Sequence, residues 1–227
     1  MPALISLGGK CKYTPGIFEM VKNMSPVIAA DSGYVHCRCL DLVPDFLAGD
    51  MDSIPGEYLS DAMRCNKTKI KRYDTDKDQT DSEIAVDIAL AEGCDSICFI
   101  GAFGERYDHM LANQMTAASL ASRGVNCVLT DGITFMYTIT PANSPFILKL
   151  DADPRNRDVI SLIPVSSDLD HTGIEGLKYL LNDTKIPFGS QRAVSNKILP
   201  AGPGETTRSA SVSVGSGVAL LIHTISD

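Results

Sequence analysis

The chain is built from short, unbroken apolar runs, each stopped by glycine or aspartate, and this pattern most limits how it can fold. Ala3-Leu4-Ile5-Ser6-Leu7 ends at Gly8-Gly9, Val27-Ile28-Ala29-Ala30 at Asp31-Ser32-Gly33, and Phe46-Leu47-Ala48 at Gly49-Asp50. Ser96 to Ile100 ends at Gly101, and Val125 to Leu129 ends at Thr130-Asp131-Gly132. Strands that are apolar throughout suit a sheet covered on both faces. Helices fit between them. Thr80-Asp81-Ser82-Glu83 spells a capping box, with Ile84, Ala85, Ile88 and Ala89 on one face and Gly93 as a stop. A second helix is expected over 107–122, with Met110, Leu111, Met115 and Ala118 inward. Strand alternating with helix predicts a mostly parallel α/β sheet.

After about residue 132 the pattern changes to strand-like segments, among them 134–139, 146–150, 158–163, 210–214 and 218–223. Turns are signalled by Asp153-Pro154, Asn182-Asp183 and Pro200 to Gly204. The expected fold class is therefore α/β: an N-terminal, mostly parallel α/β sheet domain over 1–132, then a C-terminal all-β sandwich domain over 133–227.

Acid is concentrated in two places. The segments 45–52 and 74–81 hold seven Asp and no Glu, offset locally only by Lys77. Asp keeps its carboxylate close to the backbone, where a loop can fix it around a hard cation such as magnesium. Asp50 and Asp52, like Asp76 and Asp78, are spaced so that extended chain points both side chains the same way, about 7 Å apart. Asp45 and Asp74 read as ordinary turn residues, and Asp81 lies in the first turn of the predicted helix. The acidic loops follow predicted strands, the end at which open α/β sheets bind ligands. Gly101-Ala102-Phe103-Gly104-Glu105-Arg106-Tyr107-Asp108-His109 adds a glycine-rich turn whose backbone N–H groups can face an anion, with Arg106 able to grip phosphate.

The net charge of -8 argues against a nucleic-acid partner but not against a nucleotide, since a divalent cation can bridge acid to phosphate. No basic stretch precedes the apolar start, and no apolar run approaches a membrane span. The seven Cys include no CxxC pair and read as reduced thiols of a cytoplasmic protein. The acidic cluster alone serves equally a metal-dependent nucleotide or sugar-phosphate phosphohydrolase, or a non-catalytic nucleotide-sensing protein.

Taken in order, these segments resemble the thiamine pyrophosphokinase (thiamine diphosphokinase) family, its bacterial-type members in particular. They are Asp31-Ser32-Gly33, Pro44-Asp45 leading into Gly49-Asp50-Met51-Asp52-Ser53, 76–81, and 101–109 with Asn113. The second domain adds Gly176-Leu177-Lys178-Tyr179 and Phe188-Gly189-Ser190 through Ser195-Asn196. Leu180 stands where the family commonly has proline. The resemblance implies transfer of the diphosphate of ATP to thiamine, giving AMP and thiamine diphosphate. It also implies a homodimer, with ATP bound by the first domain and thiamine near the junction of the two domains and the subunit interface. Carried over by position, Asp50, Asp52, Asp78 and Asp81 hold or surround Mg2+, and Asp31 sits at the reacting end. Lys77, Thr80, Gly101, Arg106, Asp108 and His109 line the nucleotide and phosphates, while Ser190, Ser195 and Asn196 face thiamine. With no Trp in the chain, an aromatic contact to the thiazolium falls to Tyr or Phe, with Tyr179 and Phe188 as candidates.

Overall fold

The structure is a computed structural model that describes residues 2–74, 76, 78–151, 157–199 and 206–226. Lys77 and the turn signals at 153–154 and 200–204 lie outside the described residues. The chain divides into two compact units, one of residues 1–116 with 125–132, the other of 117–124 with 133–227.

The first unit carries β1 (Ala3–Ser6), α1 (Pro15–Val21), β2 (Val27–Ala30), α2 (Gly33–Cys39), β3 (Phe46–Gly49), α3 (Gly56–Arg64) and β4 (Lys69–Arg72). It continues with α4 (Asp81–Ala91), β5 (Ser96–Ile100), most of α5 (Tyr107–Ser122) and β6 (Asn126–Thr130). The sheet order is β6-β5-β1-β2-β3-β4, and every adjacent pair is parallel. β1, β2 and β3 are buried at every position, as their unbroken apolar runs require. From β1 the chain steps outward through β2 to β4, then crosses back to β5 on the other side of β1. The connections therefore leave β1 and β5 in opposite directions, and a crevice opens at their carboxyl ends.

Local sequence explains the helix starts. Thr14 caps α1 by accepting from the Ile17 N–H, with Pro15 at the first helical position. Thr80 caps α4 through the full capping box with Glu83. Two expectations need correction. β4 was not anticipated: Lys-Ile-Lys-Arg is exposed at all four positions and has no apolar signal, because it is an edge strand whose cations discourage pairing with another chain. In α5, Leu111 is 56% exposed and Met115 41%, not inward. The buried residues are Ala117, Ala118, Leu120 and Ala121, near the helix's far end.

The second unit carries β7 (Thr134–Ile139), a single 3-10 turn (Pro141–Asn143), β8 (Phe146–Asp151), β9 (Val159–Pro164) and β10 (Leu169–Glu175). Then come β11 (Leu181–Ile186), β12 (Asn196–Lys197), β13 (Thr207–Ser213) and β14 (Ala219–Thr224). One antiparallel layer runs β12-β9-β14-β7 and the other β11-β10-β13-β8. Their inward side chains form one core, with Ile139, Ile160, Leu162 and Leu221 from the first layer and Leu148, Leu150, Ile174 and Val212 from the second. This is a β-sandwich.

Asn182-Asp183 is not a turn but lies within β11. Asp183 takes φ +46° opposite an irregular stretch of β10 in which His171 takes φ +50°. Asn and Asp tolerate that backbone, and here a bulge uses the tolerance.

All seven cysteines are free. Burial pushes the Cys37 and Cys98 thiols up to about 12, which leaves them inert core residues. Among the described residues, no helix is long and apolar enough to cross a membrane.

At the start of β9, Asp158 is 6% exposed. It accepts from the Ser226 N–H at 2.8 Å and bonds the His223 ring at 2.7 Å. Burial alone would raise its pKa, but these bonds outweigh burial and hold the carboxyl below its ordinary range. A depressed carboxyl stabilises fully above the unfolded value near 4 and loses that contribution as pH falls through the folded value. Asp158→Asn should therefore destabilise the protein by about 1–3 kcal/mol at pH 7. Urea unfolding should show the gap to wild type narrowing toward pH 3, and a gap that stays constant with pH would contradict this account.

Candidate active site

A cleft of about 520 Å3 lies within the first unit, at the carboxyl ends of its strands. That volume suits a small-molecule ligand. After β1 it is lined by Leu7, Gly8 and Gly9; after β2 by Asp31 and Ser32; after β3 by Asp50, Asp52 and Ser53. The start of α4 adds Thr80, Asp81 and Ser82, and the loop after β5 adds residues 101–106. His109, Met110 and Asn113 line it from α5.

Its centre is acidic. Asp31, Asp50 and Asp52 each place a carboxylate oxygen so that all three lie within 4.8 Å of one another. Asp31 is 8% exposed and has left-handed backbone at φ +47°. Its Oδ2 accepts from the Ser53 hydroxyl, while its buried Oδ1 has no hydrogen-bond partner among the described residues. Burial pushes the Asp31 carboxyl up, more than the Ser53 hydroxyl lowers it, and Asp81 and Asp50 add repulsion. The Asp52 N–H donates to Asp50 Oδ1 at 3.3 Å, which folds the two carboxylates into one turn. Gly49 lets these groups converge: a Cβ there would sit 3.1 Å from the Asp31 Cβ and 3.3 Å from Asp81 Oδ1. Three clustered carboxylates, one with a buried unbonded oxygen, fit a hard divalent cation.

On the far wall, the glycine-rich loop is tied to β1 and its following turn. Leu7 donates to the Ile100 carbonyl at 2.9 Å, Gly9 to the Gly101 carbonyl at 2.9 Å and Lys10 to the Phe103 carbonyl at 2.5 Å. Asn113 Nδ2 donates to the Ala102 carbonyl at 3.2 Å. Arg106 meets Asp108 with two hydrogen bonds, of 3.0 and 2.6 Å, and this holds the Asp108 carboxyl far below the usual range.

Of the residues singled out in the sequence, Asp31, Asp50, Asp52, Thr80, Asp81, Gly101, Arg106 and His109 line this cleft. Asp78 is exposed, and neither it nor Asp108 is a lining residue, although Asp108 is hydrogen-bonded to Arg106, which is. Ser53 and the Gly8-Gly9 turn join the lining. Their signal was a place in the loops that follow β1 and β3, which alone does not distinguish a binding turn from a structural one.

Ser190, Ser195 and Asn196 lie in the second unit. Ser190 Oγ accepts from the Arg192 N–H at 3.2 Å. Ser195 is exposed with φ +62°, and its N–H donates to Ser161 Oγ at 3.0 Å. Asn196 is buried, and its amide clips backbone together. Oδ1 accepts from the Tyr179 and Lys197 N–H groups at 2.9 Å each, and Nδ2 donates to the Tyr179 carbonyl at 2.7 Å. Tyr179 and Phe188 are both exposed.

Two family models match the chain: "Thiamin pyrophosphokinase, catalytic domain" over residues 18–129 and "Thiamin pyrophosphokinase, vitamin B1 binding domain" over residues 146–218. The thiamine pyrophosphokinase of Bacillus subtilis is 28% identical over 197 residues, covering 86% of this chain and 88% of the relative. Among solved structures, the Bacillus subtilis thiamine pyrophosphokinase superposes with TM-score 0.82 at 24% identity over 100% of both chains. The enzyme from Geobacillus thermodenitrificans gives 0.75 at 24% identity, over 100% of this chain and 98% of that one. The enzyme from Candida albicans gives 0.73 at 16%, over 99% and 89%. At these identities the structures establish a shared fold.

The cleft floor depends on Gly101, which has φ +66° and whose added Cβ would fall 2.1 Å from the Leu7 carbonyl oxygen. Gly101→Ala should destabilise the protein by at least about 1–2 kcal/mol from backbone strain alone. The readout is a lower urea midpoint, and an unchanged midpoint would show that the loop can relax without cost.

Proposed function

The chain belongs to the thiamine pyrophosphokinase family and is an ATP-dependent diphosphotransferase acting on thiamine; on that premise we propose that the cleft of the first unit is where the diphosphate is transferred. The observation that supports this most is the convergence of Asp31, Asp50 and Asp52 beside a glycine-rich loop. In the reaction the thiamine hydroxyl oxygen bonds to the β-phosphorus of ATP, the bond from that phosphorus to the α-phosphate oxygen breaks, and AMP leaves. The hydroxyl proton passes to a base. Chemistry of this kind needs placement and charge neutralisation more than covalent catalysis.

Asp31, Asp50 and Asp52 would hold magnesium, with Asp81 beside them. The ion, when bound, supplies charge neutralisation at the polyphosphate. Asp78 sits outside this cluster and adds negative potential at the rim. Backbone N–H groups of the 101–106 loop and the Arg106 guanidinium face the phosphates. Asp108 orients Arg106 through its paired hydrogen bonds. Thr80, Gly101 and His109 line the nucleotide. Lys77, which follows the acidic Asp76, belongs to the same assignment by its place in the motif.

In this reading the chain has a catalytic domain over 1–132 and a thiamine-binding domain over 133–227. Ser190 and Ser195 contact thiamine, and Asn196 shapes that surface by holding Tyr179 in place. We read the molecule as a homodimer. Tyr107, Leu111 and Met115 on α5, 76%, 56% and 41% exposed, support that reading as apolar surface a second subunit can cover. Seven free cysteines support a reducing, cytoplasmic setting.

The test incubates the protein with ATP, magnesium and thiamine and separates the products. AMP and thiamine diphosphate in equal amounts are expected; phosphate release without thiamine would overturn the reading. Asp52→Asn should lower turnover at least tenfold across a magnesium titration, about 1.4 kcal/mol or more. Near-normal turnover at every magnesium level would remove Asp52 from the site. Ser195→Ala should raise the thiamine KM with the ATP KM little changed, and a defect confined to ATP would put its assignment wrong.

A further inference from the structure

A hydrogen-bonded relay backs the turn after β1 without itself being part of the cleft lining. His36, on α2, bonds the Gly9 carbonyl oxygen through Nε2 at 2.7 Å and the Tyr13 hydroxyl through Nδ1 at 2.7 Å. A carbonyl oxygen can only accept, so Nε2 carries the proton. Nδ1 is then bare and accepts from Tyr13. The relay runs in one direction, from the Tyr13 O–H through the ring to the Gly9 carbonyl. Burial lowers the His36 pKa, in keeping with a neutral ring. Burial together with Cys39 raises that of Tyr13, which stays a donor.

Gly9 is the point where this relay reaches the cleft. While its carbonyl accepts from His36, its own N–H donates to Gly101 at 2.9 Å. Gly101 also makes room for the ring: a Cβ there would sit 3.1 Å from His36 Cδ2. One imidazole thus orients the Gly9–Lys10 peptide, whose Lys10 N–H donates to the Phe103 carbonyl at 2.5 Å, and packs into the space that the Gly101 backbone leaves open. Both turns line the cleft, and the second leads to Arg106 and His109. His36 and Tyr13 are not lining residues, and His36 meets these turns from behind.

We propose that His36 is a positioning residue that, braced by Tyr13, locks the Gly8-Gly9 turn to the Gly101–Arg106 loop and so sets the loop geometry that receives the polyphosphate of ATP. The inference rests on the cleft reading above, and its test separates the two.

The experiment is steady-state kinetics on the full chain with ATP, magnesium and thiamine, comparing His36→Ala, His36→Gln, Tyr13→Phe and Arg106→Ala. A glutamine side chain can place an amide N–H near the position of Nε2–H. His36→Ala should raise the ATP KM about tenfold, a difference of about 1.4 kcal/mol, with the thiamine KM within twofold of wild type. His36→Gln should recover most of that loss, and Tyr13→Phe should fall between. If His36→Ala does not fold, the split between the ATP and thiamine KM values in Tyr13→Phe carries the test.

A purely structural role predicts lower thermal stability with unchanged KM values, or both KM values moving together; either result overturns the proposal. So does a His36→Gln enzyme no better than His36→Ala. If Arg106→Ala also leaves the ATP KM unchanged, the cleft reading itself fails. If only the His36 variants leave it unchanged, the positioning role alone fails.

Discussion

Mutual repulsion among Asp31, Asp50 and Asp52 is the constraint around which the first unit is arranged. At separations within 4.8 Å, two such charges repel by roughly 3 kcal/mol at an effective dielectric near ~20. Nothing in the packing of a parallel sheet requires that cost. It arises because β2 and β3 are neighbours and both end in aspartate, and because Gly49 lets the chains approach without a side chain between them. The buried, unbonded oxygen of Asp31 is the same problem seen at one atom. A divalent cation would resolve both, and it would also let a polyphosphate enter an acidic cleft.

Around this centre, the topology decides which loops take part. The connections that follow β1 and β5 step to opposite sides of the sheet, which leaves the carboxyl ends of these parallel strands open, and the glycine-rich loop follows β5 at that opening. Carboxylates after β2 and β3 and Arg106 from the loop after β5 line the same cleft, so it carries charge of both signs. The second unit follows different rules. Its strands alternate inward and outward residues to build a sandwich core, and its polar side chains, Asn196 above all, hold backbone segments together.

Much of this was legible in the sequence, and the limits have physical reasons. Buried parallel strands announce themselves because they are apolar throughout, and the capping box at Thr80 marks a helix start to the residue. β4 was illegible because an exposed edge strand carries no apolar period. Asn182-Asp183 was misread as a turn because the same tolerance for positive φ serves turns and bulges alike. Leu111 and Met115 follow a helical period, but period alone does not say whether the apolar face meets the core of its own chain. At the site, the aspartates stood out by density. Which of them converge depended on strand neighbours, so Asp31, Asp50 and Asp52 come together while Asp78 stays outside. The role of His36 lay beyond the sequence altogether, since it depends on where Tyr13 and Gly9 lie in space.

Manganese, a paramagnetic stand-in for magnesium, tests the central claim most directly. Its free-ion electron paramagnetic resonance signal should fall in a saturable way when the protein is added together with ATP, and Asp50→Asn should abolish most of that uptake. Equal manganese uptake by the wild-type and Asp50→Asn proteins would contradict the claim that these carboxylates gather to hold a cation.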